Sequence, residues 1–189
     1  MLKIADIPED QIMFYDIETD SEFAPYAKLE MIGVQYGLSG KRELVETWGE
    51  RKRFRERVAS PDMIKVHFNG LNFDDLVLYR HSYPICEQNR HDLFLIAKTV
   101  APDLPAYSLK FLSWFYFGDF HYPEMQIMEW LKKNGKESLY QAPKELLKNY
   151  CLHDVFQTKE LFLLFWEAYP VASKLSFLQF RRPSDRKLL

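Results

Sequence analysis

Apolar and polar residues alternate first with the period of strands and later with that of helices. Ile12 to Ile17 reads as one short strand, Met31 to Leu38 ("MIGVQYGL") as a second, and Leu44 to Trp48 as a third, with the Gly-containing turn "LSGKRE" joining the last two. The three predict an antiparallel meander. A charged helical segment over Arg51 to Ala59 follows, then a short apolar strand "MIKVHF", the turn "NGLN", and a helix from about Phe73 to His81. Beyond Asp92 the spacing is mostly helical: "DLFLIAKTV", then "SLKFLSWFYFG" ended by Gly118, then "PEMQIMEWLKKNG" with Pro123 at its start and Gly135 at its end, the placement helix ends prefer. A last helix opens at Pro143 and runs to about Tyr169, where Pro170 kinks or stops it. Strands, then alternation, then helices predict an α/β layered domain with a mixed sheet.

Acids interrupt this pattern where apolar residues belong. On the first strand Ile12, Phe14, Asp16 and Glu18 share one face, so an apolar row ends in two carboxylates. On the last helix the stripe Leu147, Tyr150, Cys151, Asp154, Val155, Thr158, Leu161, Phe162 and Phe165 carries Asp154 at its centre, with Tyr150 one turn before it. In "NGLNFDDL" Asp74 and Asp75 open a helix that must dock on the sheet. Each has a plain structural reading: an acidic loop where the strand meets solvent, a core tyrosine with a satisfied hydroxyl, and first-turn acids favoured by the helix macrodipole. Together they pose an electrostatic problem. Two carboxylates about 4 Å apart repel by roughly 4 kcal/mol at an effective dielectric near 20, and four would raise one another's pKa until some were protonated. Hard divalent cations such as Mg²⁺ or Mn²⁺ suit an all-oxygen cluster, and a pair of them serves in-line attack on a phosphodiester.

Composition narrows the setting. The 189 residues fit one domain, 1–189, with a basic tail over 181–189. A hydrophobic fraction of 47% and an aromatic fraction of 16% exclude a disordered chain, and no apolar run is long enough to cross a bilayer, so no membrane is expected. The N-terminus lacks the features of a signal peptide and only Cys86 and Cys151 are present, so a reducing, cytoplasmic location is expected. With a formal net charge of -2, any grip on nucleic acid must be local. The clusters "RKRFRER" (51–57) and "RRPSDRK" (181–187) could supply it, or could be a solvated helix face and a chain end.

"DIE" (Asp16, Glu18), "NGLNFD" (Asn69 to Asp74) and "YCLHD" (Tyr150 to Asp154) resemble, in order and separation, the three exonuclease motifs of the DEDD, or DnaQ-like, superfamily. The resemblance spans Phe14 to about Phe165 and implies a ribonuclease-H-like fold: a central mixed five-stranded sheet flanked by helices, with a helical C-terminal half. "YSLKFLSWFYFG" is similar to the helix between the second and third motifs in proofreading domains of family A DNA polymerases, phage ones especially. The histidine-containing branch places its histidine at the position of Asn149 and the tyrosine branch places its tyrosine at that of Tyr150, so the chain looks like DEDDy. His153, about 100° away from Asp154 on the helix, reads as a bystander. The resemblance implies a two-metal 3′–5′ exonuclease using Mg²⁺ or Mn²⁺ at Asp16, Glu18, Asp74 and Asp154. Tyr150 would orient the attacking water, and Thr19 and Asn69 would hold the 3′-terminal nucleotide. The residue after the second motif's aspartate, Asp75, departs from the usual pattern, so either acid of the pair could be the ligand, with the F-D adjacency favouring Asp74. The implied partners are a single-stranded DNA 3′ end and a separate DNA polymerase subunit. RNA as substrate, and a silent nucleic-acid-binding scaffold, remain as alternatives.

Overall fold

The structure, a computed structural model, describes residues 7–21 and 26–168. Five strands, β1 (Ile12–Thr19), β2 (Leu29–Tyr36), β3 (Arg42–Leu44), β4 (Ile64–His67) and β5 (Arg90–Asp92), form one mixed sheet in the order β3-β2-β1-β4-β5. The first three pair antiparallel, whereas β4 and β5 run parallel to β1. The helices are α1 (Trp48–Ala59), α2 (Asp74–Arg80), α3 (Leu93–Val100), α4 (Leu109–Phe117), α5 (Tyr122–Asn134) and α6 (Lys144–Ala168).

Alternation along β1 divides the core into two layers. Ile12 and Phe14 pack with Val66, Leu93, Leu112, Val155 and Phe162 on the side covered by α3, α4 and α6. Met13, Tyr15 and Ile17 pack with Phe54, Val58, Val77 and Leu78 on the side covered by α1 and α2. The expected mixed five-stranded sheet with a helical C-terminal part is present, and this is the ribonuclease-H-like arrangement.

Three boundaries differ from the periodicity. The third strand ends at Leu44 rather than reaching Trp48, because Thr47 and Glu50 form a reciprocal capping box that starts α1 at Trp48, three residues earlier than the charge pattern suggests. The second strand ends at Tyr36, where Gly37 takes a positive φ of 77°. The last helix runs from Lys144 to Ala168, and the stop assigned to Pro170 lies outside the described residues, as does the basic tail. The other basic cluster is structural in its contacts: Phe54 is buried, Arg53 lies 3.9 Å from the centroid of the Tyr36 ring, and Arg57 donates to the Asp10 carbonyl at 2.5 Å. No described helix is long and apolar enough to cross a membrane.

One close approach sets how α6 lies on the sheet. Gly33 on β2 pairs with Asp16 on β1, and a Cβ at Gly33 would come within 2.7 Å of Cys151 Sγ and 3.1 Å of Val155 Cγ2. The helix therefore rests on bare backbone at this point, between the turns that carry Tyr150 and Asp154.

Candidate active site

The β1–β4 pairing stops at Phe14, because β4 gives way to the turn at 69–72. The far half of β1 thus has free backbone groups on that edge, and α2 fills the gap: the Ile17 N–H donates to Asp74 Oδ1 at 3.2 Å. Asp74 thus meets the β1 backbone next to Asp16. Asp75 turns the other way, accepting from the Tyr15 hydroxyl at 2.7 Å and pairing with Arg90 Nη1 at 2.5 Å. One aspartate belongs to the cleft and its neighbour to a buried network.

That network holds the second motif in shape. Asp92 accepts from the N–H groups of Asn69, Leu71 and Phe94 at 2.9, 3.2 and 3.0 Å, so one carboxylate caps α3 and ties down the preceding turn. Gly70 N–H donates to His67 Nδ1 at 3.0 Å, and a Cβ at Gly70 would lie 2.4 Å from that nitrogen. Gly70→Ala is expected to destabilise the fold by about 1–3 kcal/mol and to displace Asp74. Urea unfolding checks the first effect, and an unchanged midpoint would show that the turn relaxes freely.

Asp16, Asp74, Tyr150, Asp154 and Asn69 line one cleft of about 680 Å³ at the C-terminal end of β1. Asp74 and Asp154 are nearly buried, at 5% and 7% exposure, and Asp154 Oδ1 is buried without a hydrogen-bond partner. Burial, then repulsion from Asp74, Glu18 and Asp154, pushes the Asp16 carboxyl well above the usual range. Burial, Asp154 and Asp74 do the same to Glu18. Asp74 is raised by burial and by Asp75, against the pull of backbone N–H groups. Asp154 is raised to about 7 by burial, partly offset by the Lys110 ammonium and the Tyr150 hydroxyl. Glu18 lines the adjoining hollow rather than this cleft, but its charge acts on Asp16 and it feels Asp154 and Asp74 in turn.

The donor set fits hard divalent cations. Its carboxylates are mutually repelling and incompletely satisfied, a condition that cationic charge relieves. Cys151 Sγ lies within 4.8 Å of ligand oxygens of Asp16 and Glu18, but it faces the Asp16 carbonyl at 3.8 Å, and burial pushes the thiol well above its ordinary pKa. It packs as a neutral thiol, leaving an oxygen site.

Tyr150 lies beside Asp154, and burial followed by repulsion from Asp154, Glu18 and Asp16 drives its phenol far above the usual range. The phenol stays protonated and serves as a hydrogen-bonding group. Lys110 was not among the residues the motifs single out. Its ammonium sits 5.6 Å from the centroid of the Tyr150 ring, pairs with Glu124, and acts on both Asp154 and Glu18. Its only sequence signal is a lone cation in the otherwise apolar run "SLKFL".

Two expected substrate contacts fare differently. Asn69 lines the cleft in a left-handed conformation (φ 55°), its Oδ1 accepting from Asn72 Nδ2 at 2.9 Å. Thr19 does not join it. The pairing register shifts between Glu18 and Thr19, and Thr19 is 3% exposed with its hydroxyl donating to the Ser21 carbonyl at 2.6 Å, in a separate hollow beside Glu18. A side chain so engaged is not displayed toward the cleft. His153 points away, to Asp119 Oδ2 at 3.0 Å and Gln157 Nε2 at 2.9 Å.

No family model matches the chain, and no curated protein matches it in sequence. Solved structures do match in fold. A nuclease in its apo form is 15% identical with a TM-score of 0.61, over 90% of this chain and 86% of that one. Trypanosoma brucei RNase D in complex with GMP is 11% identical with a TM-score of 0.63, over 88% and 56%. The zinc-bound complex of E. coli ExoI with single-stranded DNA is 17% identical with a TM-score of 0.54, over 88% and 42%. The chain thus spans most of the first protein and about half of the other two. At these identities the likeness establishes the fold alone, one that this chain shares with these nucleases.

Proposed function

We propose that the chain is a metal-dependent 3′–5′ exonuclease of the DEDDy kind, removing nucleotides from single-stranded or frayed DNA 3′ ends. The observation that carries this reading is the meeting of Asp16, Asp74 and Asp154 in a cleft that also presents Tyr150, with Glu18 beside Asp16 at the edge of the adjoining hollow. These four residues would hold two divalent ions, Mg²⁺ or Mn²⁺. When bound, such ions polarise the phosphodiester and supply hydroxide at neutral pH. Asp16, Glu18 and Asp154 would hold the metal that activates the attacking water, and Asp74 would support the second ion. Tyr150, protonated, would orient the water by hydrogen bond, and Lys110 would fix the tyrosine ring and temper the negative charge. Asn69 would meet the terminal nucleotide at the cleft wall.

Several features support a DNA end as substrate and a proofreading role beside a separate polymerase. The net charge of -2 leaves the wider template grip to a partner. The fold is shared with an exonuclease solved on single-stranded DNA. The likeness to RNase D supports RNA as the second reading, and the 2′-hydroxyl is where the two would part. Matched 5′-labelled DNA and RNA oligonucleotides, incubated with and without Mn²⁺, test direction, metal need and sugar preference together. No shortening from the 3′ end with either ion would overturn the assignment. Tyr150→Phe is expected to lower kcat roughly 10- to 100-fold by loosening the water, with Mn²⁺ affinity retained. An unchanged kcat would remove the orienting role.

A further inference from the structure

The cleft does not end at the carboxylates. It continues past Asn69 to a wall made of Phe94, Lys98 and Tyr107. Phe94 and Lys98 lie one turn apart on α3, which sets the Lys98 ammonium 4.3 Å from the centroid of the Phe94 ring, and the centroid of the Tyr107 ring lies 5.7 Å from the same ammonium. Both rings are anchored. The Tyr107 hydroxyl donates to the Ala101 carbonyl at 2.7 Å, and Phe94 meets Phe68 edge to face at 6.2 Å.

The two lysines of the cleft differ in their commitments. Lys110 is engaged by Glu124 and acts on the acids, whereas Lys98 is exposed and makes no ion pair among the described residues. An ammonium steered by two fixed rings and lacking a carboxylate partner is suited to a phosphate, and the rings offer faces for an unpaired base. An acidic cleft also repels a polyanion unless a cation lies along its approach.

We propose that Lys98, framed by Phe94 and Tyr107, forms the subsite for the nucleotide on the 5′ side of the one removed, with the ammonium on its phosphate and the rings against its base. This rests on the nuclease reading and adds a length and strand requirement to it. A base stacked on these rings is unpaired, so the subsite selects single strands. A mononucleotide nitrophenyl ester carries no phosphate on its leaving group and so gives the Lys98 ammonium nothing to hold.

The test compares the wild-type chain with Lys98→Gln and Lys98→Arg on two substrates, the 4-nitrophenyl ester of thymidine 5′-monophosphate and a 5′-labelled oligothymidylate. Lys98→Gln is expected to raise KM for the oligonucleotide about tenfold while kcat and nitrophenyl-ester hydrolysis stay within about twofold, and Lys98→Arg to restore KM. Oligonucleotide binding in EDTA, followed by fluorescence anisotropy against salt, should lose about 0.7 from its log–log slope in Lys98→Gln. Equal losses on both substrates, or an unchanged KM with an unchanged slope, would overturn the subsite. Hydrolysis of neither substrate by the wild-type chain would sink the nuclease reading instead, and the slope in EDTA would still decide whether Lys98 meets a phosphate.

Discussion

Asp16→Asn is expected to remove divalent-metal-dependent hydrolysis by a factor of at least about 10³ while raising the melting temperature of the metal-free protein. Both effects have one cause. Asp16 faces Asp74, Glu18 and Asp154, and its carboxyl is held well above its ordinary range by burial and by those three neighbours. Removing its charge relieves repulsion that the folded chain must otherwise bear, and also removes the central oxygen ligand of the proposed metal pair. Asp154→Asn should act in the same direction, since its Oδ1 is buried without a partner. Circular dichroism melts in EDTA and a labelled-oligonucleotide assay with Mn²⁺ check the two halves separately. Lost activity with a lowered melting temperature would mean that Asp16 is structural. Retained activity, with contaminating nuclease excluded, would remove it from the mechanism.

The second large effect is the dependence of stability on pH and metal. Burial, with repulsion from neighbouring acids, raises the Asp16, Glu18 and Asp74 carboxyls above their unfolded values, and burial raises Asp154 from 3.8 to about 7. Between about pH 4 and pH 7 the folded chain accordingly binds more protons than the unfolded chain. The stabilisation is complete below the unfolded carboxylate pKa and is lost as pH rises through the folded one. In EDTA the melting temperature should fall between pH 5 and pH 8, by about 5–10 °C if the linkage is worth a few kcal/mol. Saturating Mn²⁺ should restore it at pH 8 and do little at pH 5, where protons compete for the same oxygens. A melting temperature that rises over this interval in EDTA, with no response to Mn²⁺ at pH 8, would contradict a shared carboxylate site.

What could be read from the chain follows from how local each determinant is. Strand β1 shows itself because Ile12, Phe14, Asp16 and Glu18 alternate with Met13, Tyr15 and Ile17, and the two rows enter the two core layers. Asp154 stands out because a helical stripe brackets it on both sides. The choice between Asp74 and Asp75 is not local: both open the same helix, and only Tyr15 and Arg90, far away in the chain, draw Asp75 aside. Strand β5 is invisible to hydrophobic periodicity because it is Arg90-His91-Asp92, three polar residues recruited into the sheet beside β4. Thr19 misleads for a related reason, since a register shift at the end of β1 redirects it without any mark in the sequence. Lys110 and Lys98 belong to the cleft through the packing of α3 and α4, which composition does not report.

The bare backbone at Gly33 acts as the thickness gauge between sheet and helix. Tyr150 and Asp154 ride on turns to either side of that seat, so a methyl inserted there would press on the Cys151 thiol and a Val155 methyl of the helix that carries both. On the nuclease reading, a variant here would disturb the site without removing any of its ligands, and a survey of lost activity alone would mistake a spacer for a member of the chemistry.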